Sequence, residues 1–268
     1  MCAGPGEDPN LALVVPVIDF CCRGTRFEGR ANINPLAPAD GCLSFFFFRS
    51  DPHGLLSRFL NSSGYVSAGN AVFCPLPFME SILKFSECTS GDVAKIPVYT
   101  VNDEEPAWPE NAVPEKILED VKKSINALVS QFFLEWLFAH EVGHAELGHA
   151  LRLSTGEREP RECEREADNF FIGRISDGER AVKVHMALSD LLLGVFLRHY
   201  EEENGHRYEG PGFATERAQI HVREIGGPHP PFVVRLLNLA EALQQAYPEV
   251  EPGDYFARVR RNVIIVDS

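Results

Sequence analysis

The segment Ala139-His140-Glu141-Val142-Gly143-His144-Ala145-Glu146-Leu147-Gly148-His149 places three histidines and two glutamates in eleven residues. His140, Glu141 and His144 fit the pattern H-E-x-x-H. On a helix, two histidines four residues apart project from one face, about one turn apart, so their imidazoles can take two corners of a zinc tetrahedron. Glu141 lies about 60° further round the helix than His144. Its carboxylate therefore falls beside the metal, in reach of a water that the metal acidifies, where it can serve as general base.

The helix face supports this assignment. Val129, Phe133, Trp136, Leu137, His140, His144, Leu147 and Leu151 fall within one stripe of helical period, so the two histidines interrupt an apolar face. Buried imidazoles need partners, and a metal would satisfy both. Glu135, Glu146, His149 and Arg152 fall on the opposite side. A catalytic zinc takes a third protein ligand and keeps one open position. His149 sits about 140° round the helix from His144 and cannot reach the same ion from a straight helix; it reads as a solvent-side or helix-end histidine. Glu164 is the better third ligand. It opens Glu164-Arg165-Glu166-Ala167-Asp168, after an interval containing Gly156 in which the chain can turn back. Glu164 and Asp168, four residues apart, share a face. Glu164 can complete the zinc site while Asp168 accepts a hydrogen bond from a ligand imidazole. Ala167 allows close approach of the two helices, Glu166 reads as surface, and Cys163 as a small core thiol.

HEVGH followed by EREAD resembles the gluzincin metallopeptidases, whose third ligand is a glutamate in an E-x-x-A-D-like motif. His229-Pro230-Pro231-Phe232-Val233-Val234-Arg235 resembles the H-P-x-x-x-x-R element of the HtpX and CAAX-prenyl-protease group, and residues 67–83 are similar to the strand-then-helix that precedes the catalytic helix there. The resemblance covers roughly residues 67–240 and lacks that group's membrane spans; in this respect it is closer to the small soluble Lit-type and ImmA/IrrE-type peptidases. It implies a zincin-like fold and cleavage of a specific protein or peptide substrate. It also implies that His229 stabilises the oxyanion, with Tyr208, His206 and His221 as competitors, and that Arg235 orients a carboxylate or a substrate carbonyl. The alternative is a catalytically silent zincin-like module used for binding. A purely structural site, however, has no use for a carboxylate at Glu141 beside an open position.

Several elements must position these residues. Residues 11–101 contain short apolar runs separated by turn residues, LALVVPVIDF, CLSFFFFRS, YVSAGNAVFCPL and KIPVYTV, and read as strands with short helices at 54–60 and 77–85. The run Phe45 to Phe48 reads as a strand buried on both faces, and KIPVYTV (95–101) as an edge strand able to receive an extended peptide. A Pro-rich connector at 102–114 leads to helices at 115–153, 160–175, 178–202, 231–246 and 253–261. Residues 203–230 read as loop, and the terminal NVIIVDS as a last strand. Strands first and helices second point to an α+β fold: an N-terminal mixed β-sheet over 1–105, then a helical part over 106–268 carrying H-E-x-x-H, the two forming one continuous domain.

Composition narrows the partners. The 268 residues are 44% hydrophobic and 24% charged, with a net charge of −14. No positive surplus exists to neutralise phosphates, which argues against nucleic acid. Seven cysteines in irregular spacing do not form a disulfide framework. No apolar run is long enough to span a bilayer, and residues 1–10 read as disordered rather than as a signal peptide. The expectation is a cytoplasmic protein without membrane insertion.

Overall fold

The computed structural model describes residues 9–35, 39–48, 66–76, 79–80, 83–84, 115–157, 159–174, 185, 220–224, 232–249 and 263–267. The predicted helices at 54–60, 178–202 and 253–261, the strand 95–101 and the 105/106 boundary lie wholly or almost wholly outside these residues. The fold is mixed α+β. Its first sheet has the strand order β1 (Ala31–Ile33), β2 (Leu43–Phe48), β4 (Ala71–Pro75), β3 (Val66–Ala68). β1 and β4 flank β2 in parallel, while β3 and β4 form an antiparallel hairpin, so the sheet is mixed as expected. The hairpin turns at Gly69-Asn70, where Gly69 has φ 63°, a conformation glycine adopts without a Cβ penalty.

One face of β2 meets the central helix α2 (Glu115–Glu146). Phe45 and Phe47 are fully buried and their rings lie 5.9 and 6.2 Å from that of Phe138. Phe46 points the other way, is half-buried, and stacks on Phe73 of β4. The strand is therefore completely buried on one face alone, as its alternation along the pleat dictates. Around Phe132–Ala145 the helix is buried almost all round, because the sheet and two other helices surround it. The narrow stripe expected from sequence is too narrow. Glu135, assigned to the opposite side, is buried too, and its carboxylate takes hydrogen bonds from Gln131 (2.6 Å) and His185 (3.3 Å).

Two segments depart from their predicted states. LALVVPVIDF belongs to a helix, α1 (Pro9–Cys22), which packs on α2. Val14, Ile18, Cys21 and Cys22 are its buried face, a helical spacing masked in the sequence by apolar residues at nearly every position and by Pro16. Residues 220–224, read as loop, form β5 (Ile220–Glu224), parallel to β6 (Val263–Asp267). A partner some forty residues away, not local pattern, defines that strand. A helix therefore precedes the strands, and the two strands of a second small sheet lie on either side of the last described helix (Phe232–Ala246).

The predicted helix 115–153 is broken in two. α2 ends at Glu146, Gly148 adopts φ 66°, and α3 (His149–Ser154) starts at once. Leu151, placed in the buried stripe by extrapolating a straight helix, is 69% exposed. The chain then turns through Gly156 into α4 (Pro160–Ile172), with Pro160 in its first turn. Cys163, Glu164, Ala167, Asp168 and Phe171 form the buried face of α4, laid against α2. α5 (Phe232–Ala246) packs on α4 in turn. Cys21, Cys22, Cys42, Cys74 and Cys163 are free thiols, and no described helix is long and apolar enough to cross a membrane.

Gly143 sets the spacing of α2 and α4. A Cβ there would stand 2.9 Å from the Phe170 Cβ and 3.3 Å from the Ala167 Cα. Alanine at an open helix position gains about 1 kcal/mol over glycine. Here the obstacle is the root of a side chain and a backbone atom, so the helices themselves must move. Gly143→Ala is expected to lower stability by about 1–3 kcal/mol, measured by chemical denaturation; a stabilised variant would refute the close contact.

Candidate metal centre

His140 and His144 emerge from the last two turns of α2, and Glu164 comes from the facing turn of α4. The His140 Nε2 and His144 Nε2 atoms are 3.0 Å apart. The Glu164 carboxylate lies 3.2 Å from His140 Nε2 and 3.4 Å from His144 Nε2. Two imidazole nitrogens and a carboxylate, which turns Oε2 to His140 and Oε1 to His144, thus form a small triangle of groups. Among the described residues, this is a His/Cys/Asp/Glu group that could hold a metal ion. Ligands about 2.0–2.1 Å from a tetrahedral zinc are separated by roughly 3.3 Å; the contacts of 3.0, 3.2 and 3.4 Å lie near that length, the last two reaching different oxygens of the one carboxylate. The donor set, two imidazoles and a carboxylate, also suits zinc.

The outer nitrogen of His140 is held by Asp168. His140 Nδ1 is 2.9 Å from Asp168 Oδ1. The same oxygen accepts from Trp136 Nε1 at 3.0 Å and Arg235 Nη2 at 2.6 Å, and Oδ2 accepts from Arg235 Nε at 2.9 Å. Arg235 also lies 5.1 Å from the Trp136 ring. Arg235 does orient a carboxylate, but the carboxylate belongs to Asp168. Trp136, read from sequence merely as apolar, is a donor in this network.

The electrostatics follow. Burial opposes the charge on Asp168, but His140 and Arg235 outweigh it and hold the carboxyl well below the usual range. Burial likewise favours neutral His140, yet the charge and hydrogen bond of Asp168, helped by Glu164, push its pKa up to about 9. His140 is therefore an imidazolium at neutral pH, and a metal at this site would have to displace its proton. Arg235 is raised above its ordinary value because its hydrogen bond to Asp168 and that carboxylate's charge outweigh burial.

Glu141 is 5% exposed, and among the described residues no hydrogen bond reaches its carboxylate. His149 is not at the surface. It is 1% exposed, with Nδ1 2.9 Å from His144 Nδ1 and Nε2 3.0 Å from Glu166 Oε2. The break at Gly148 removes the straight-helix premise on which it had been turned outward. Glu166, expected at the surface, is half-buried and also accepts from Arg152 Nη1 at 3.1 Å. A glycine within a helical pattern is the signal that could have warned of the break. Cys163 is a buried thiol outside the ligand group, as expected. His229 and Tyr208 lie outside the described residues, as does His206. Compared with known proteins, the chain matches no family model, no curated protein and no solved structure.

Proposed function

We propose that the chain is a zinc-dependent endopeptidase with a zincin-like arrangement, cutting a specific protein substrate in the cytoplasm. One observation carries this reading: the two Nε2 atoms and the Glu164 carboxylate converge within 3.4 Å, while His140 Nδ1 is tied to Asp168. With Nδ1 donating to Asp168, Nε2 of His140 faces the triangle, and there it carries the imidazolium proton whose place a cation would take. Two imidazole lone pairs and a carboxylate facing one another repel unless a proton or a cation lies among them. A zinc ion bound by His140, His144 and Glu164 would acidify water and polarise a carbonyl.

The chain's own residues supply the rest. Glu141, adjacent to the ligand His140 and unengaged by the described residues, is the base that takes a proton from water and returns it to the leaving amine. Arg235 contributes through Asp168, which it holds ionised so that His140 keeps its orientation. A carboxylate held at a mostly buried position costs stability, and a silent binding module gains nothing by keeping one at Glu141.

Purified protein is expected to carry about one zinc per chain, counted by elemental mass spectrometry, and Glu164→Ala to lose it. A folded wild-type protein that takes up no zinc would end the reading. Comparing new protein N-termini in cells expressing wild type or Glu141→Gln would then identify the substrate.

A further inference from the structure

Resting on that metal-site reading, we propose that His149 is a positioning residue: with Glu166 and Arg152 it fixes the tautomer of His144, leaving the His144 Nε2 bare toward the metal. Four distances build the relay. Arg152 Nη1 is 3.1 Å from Glu166 Oε2, which is 3.0 Å from His149 Nε2. His149 Nδ1 is 2.9 Å from His144 Nδ1, and His144 Nε2 belongs to the ligand triangle.

The logic is that of donors and acceptors. Glu166, a carboxylate paired with Arg152, accepts and does not donate. His149 Nε2 must therefore carry a hydrogen, and the neutral ring is then bare at Nδ1. The hydrogen between the two Nδ1 atoms belongs to His144. Its Nε2 consequently has a free lone pair, the form in which imidazole binds metal. The rings of His144 and His149 stand edge to face, 4.9 Å between centroids, so His149 also limits rotation of the ligand ring. The two ligand histidines are thus backed alike. His140 leans on Asp168 and Arg235; His144 leans, through one more imidazole, on Glu166 and Arg152. The H-E-x-x-H pattern does not include His149, and the αL turn at Gly148 brings it there.

The test compares His149→Asn with His149→Leu in the full chain. Asn presents an amide oxygen near the former Nδ1 and can accept from His144; Leu fills the space and cannot. Zn2+ affinity, measured by competition with a chromophoric chelator, is expected to fall about 10- to 100-fold in His149→Leu and to stay within a few-fold of wild type in His149→Asn. A role in packing alone would reverse that ranking. Imidazole nitrogen NMR of the metal-free protein should show His144 protonated at Nδ1 in wild type and His149→Asn, and as mixed tautomers in His149→Leu. Should His149→Leu fail to fold, Glu166→Ala at its half-exposed position carries the test, with a drop of roughly 10-fold. Equal affinities in wild type, His149→Leu and Glu166→Ala, or His144 protonated at Nε2 in wild type, would overturn the relay. Wild type that binds no Zn2+ yet shows His144 protonated at Nδ1 would sink the metal reading and leave the relay standing.

Discussion

Replacing Glu141 by glutamine is expected to leave zinc in place and to cut peptide hydrolysis by about 10²–10⁴-fold. The two halves of that expectation have separate grounds. Zinc stays because Glu141 is not among the three side chains whose donor atoms converge. Turnover falls because the amide of glutamine has the shape of the carboxylate but cannot take up a proton. The loss should appear in kcat, since a missing proton acceptor raises the barrier without altering substrate contacts. Metal analysis and steady-state kinetics on one preparation decide the matter. Unchanged kcat would remove Glu141 as base, and loss of zinc would place its carboxylate among the ligands.

The second large effect is on stability. Asp168→Ala should cost about 3–5 kcal/mol, because it leaves Arg235 buried without its counter-charge and takes away the partner that keeps His140 protonated. It should also weaken zinc binding by about 10- to 100-fold. Removing both partners, Asp168→Ala with Arg235→Ala, should cost less than the sum of the single changes, because no isolated charge remains. The pH dependence of the metal-free protein carries the same signature. Asp168 lies well below its ordinary 3.8 and His140 is raised from 6.5 to about 9. The pair's contribution is therefore fully present between pH 3.8 and 6.5. It fades in acid as Asp168 takes a proton, and it fades again as the pH rises through about 9 and His140 loses one. Thermal unfolding of metal-stripped wild type should show the alkaline decline, and Asp168→Ala should show much less of it. Strictly additive single and double changes, or parallel pH curves, would refute the buried pair.

The His140–His144–Glu164 cluster was legible in the sequence because its members obey local rules. His140 and His144 are related by helical spacing, and Glu164 and Asp168 by the same spacing on a second helix that the intervening glycine allows to return. The α+β class was legible too: the apolar runs at β2 and at residues 65–76 mark strands, and α4 and α5 carry helical periodicities, though the turn at Gly69-Asn70 that makes β3 and β4 a hairpin was not read. What escaped was set by neighbours or by single backbone angles. α1 was mistaken for a strand because its apolar residues leave no contrast between faces. β5 exists through its pairing with β6. His149 and Glu166 were turned outward by assuming that α2 runs straight past Gly148. Arg235 came from a resemblance to another element, and the carboxylate it grips, Asp168, could be known only from the packing of α5 on α4.

One turn-and-a-bit of α4 supplies all three acids that answer the histidines: Glu164 faces the triangle, Asp168 supports His140, and Glu166 supports His149. Because a single rigid rod delivers them, they cannot be withdrawn one at a time by movement of the backbone. A slide of that rod along α2 breaks every contact together, and the packing of Phe170 over Gly143 is the stop that prevents the slide. The centre should accordingly assemble in an all-or-none manner, so that a damaged interface divides the molecules into competent and incompetent populations rather than making each of them slightly worse.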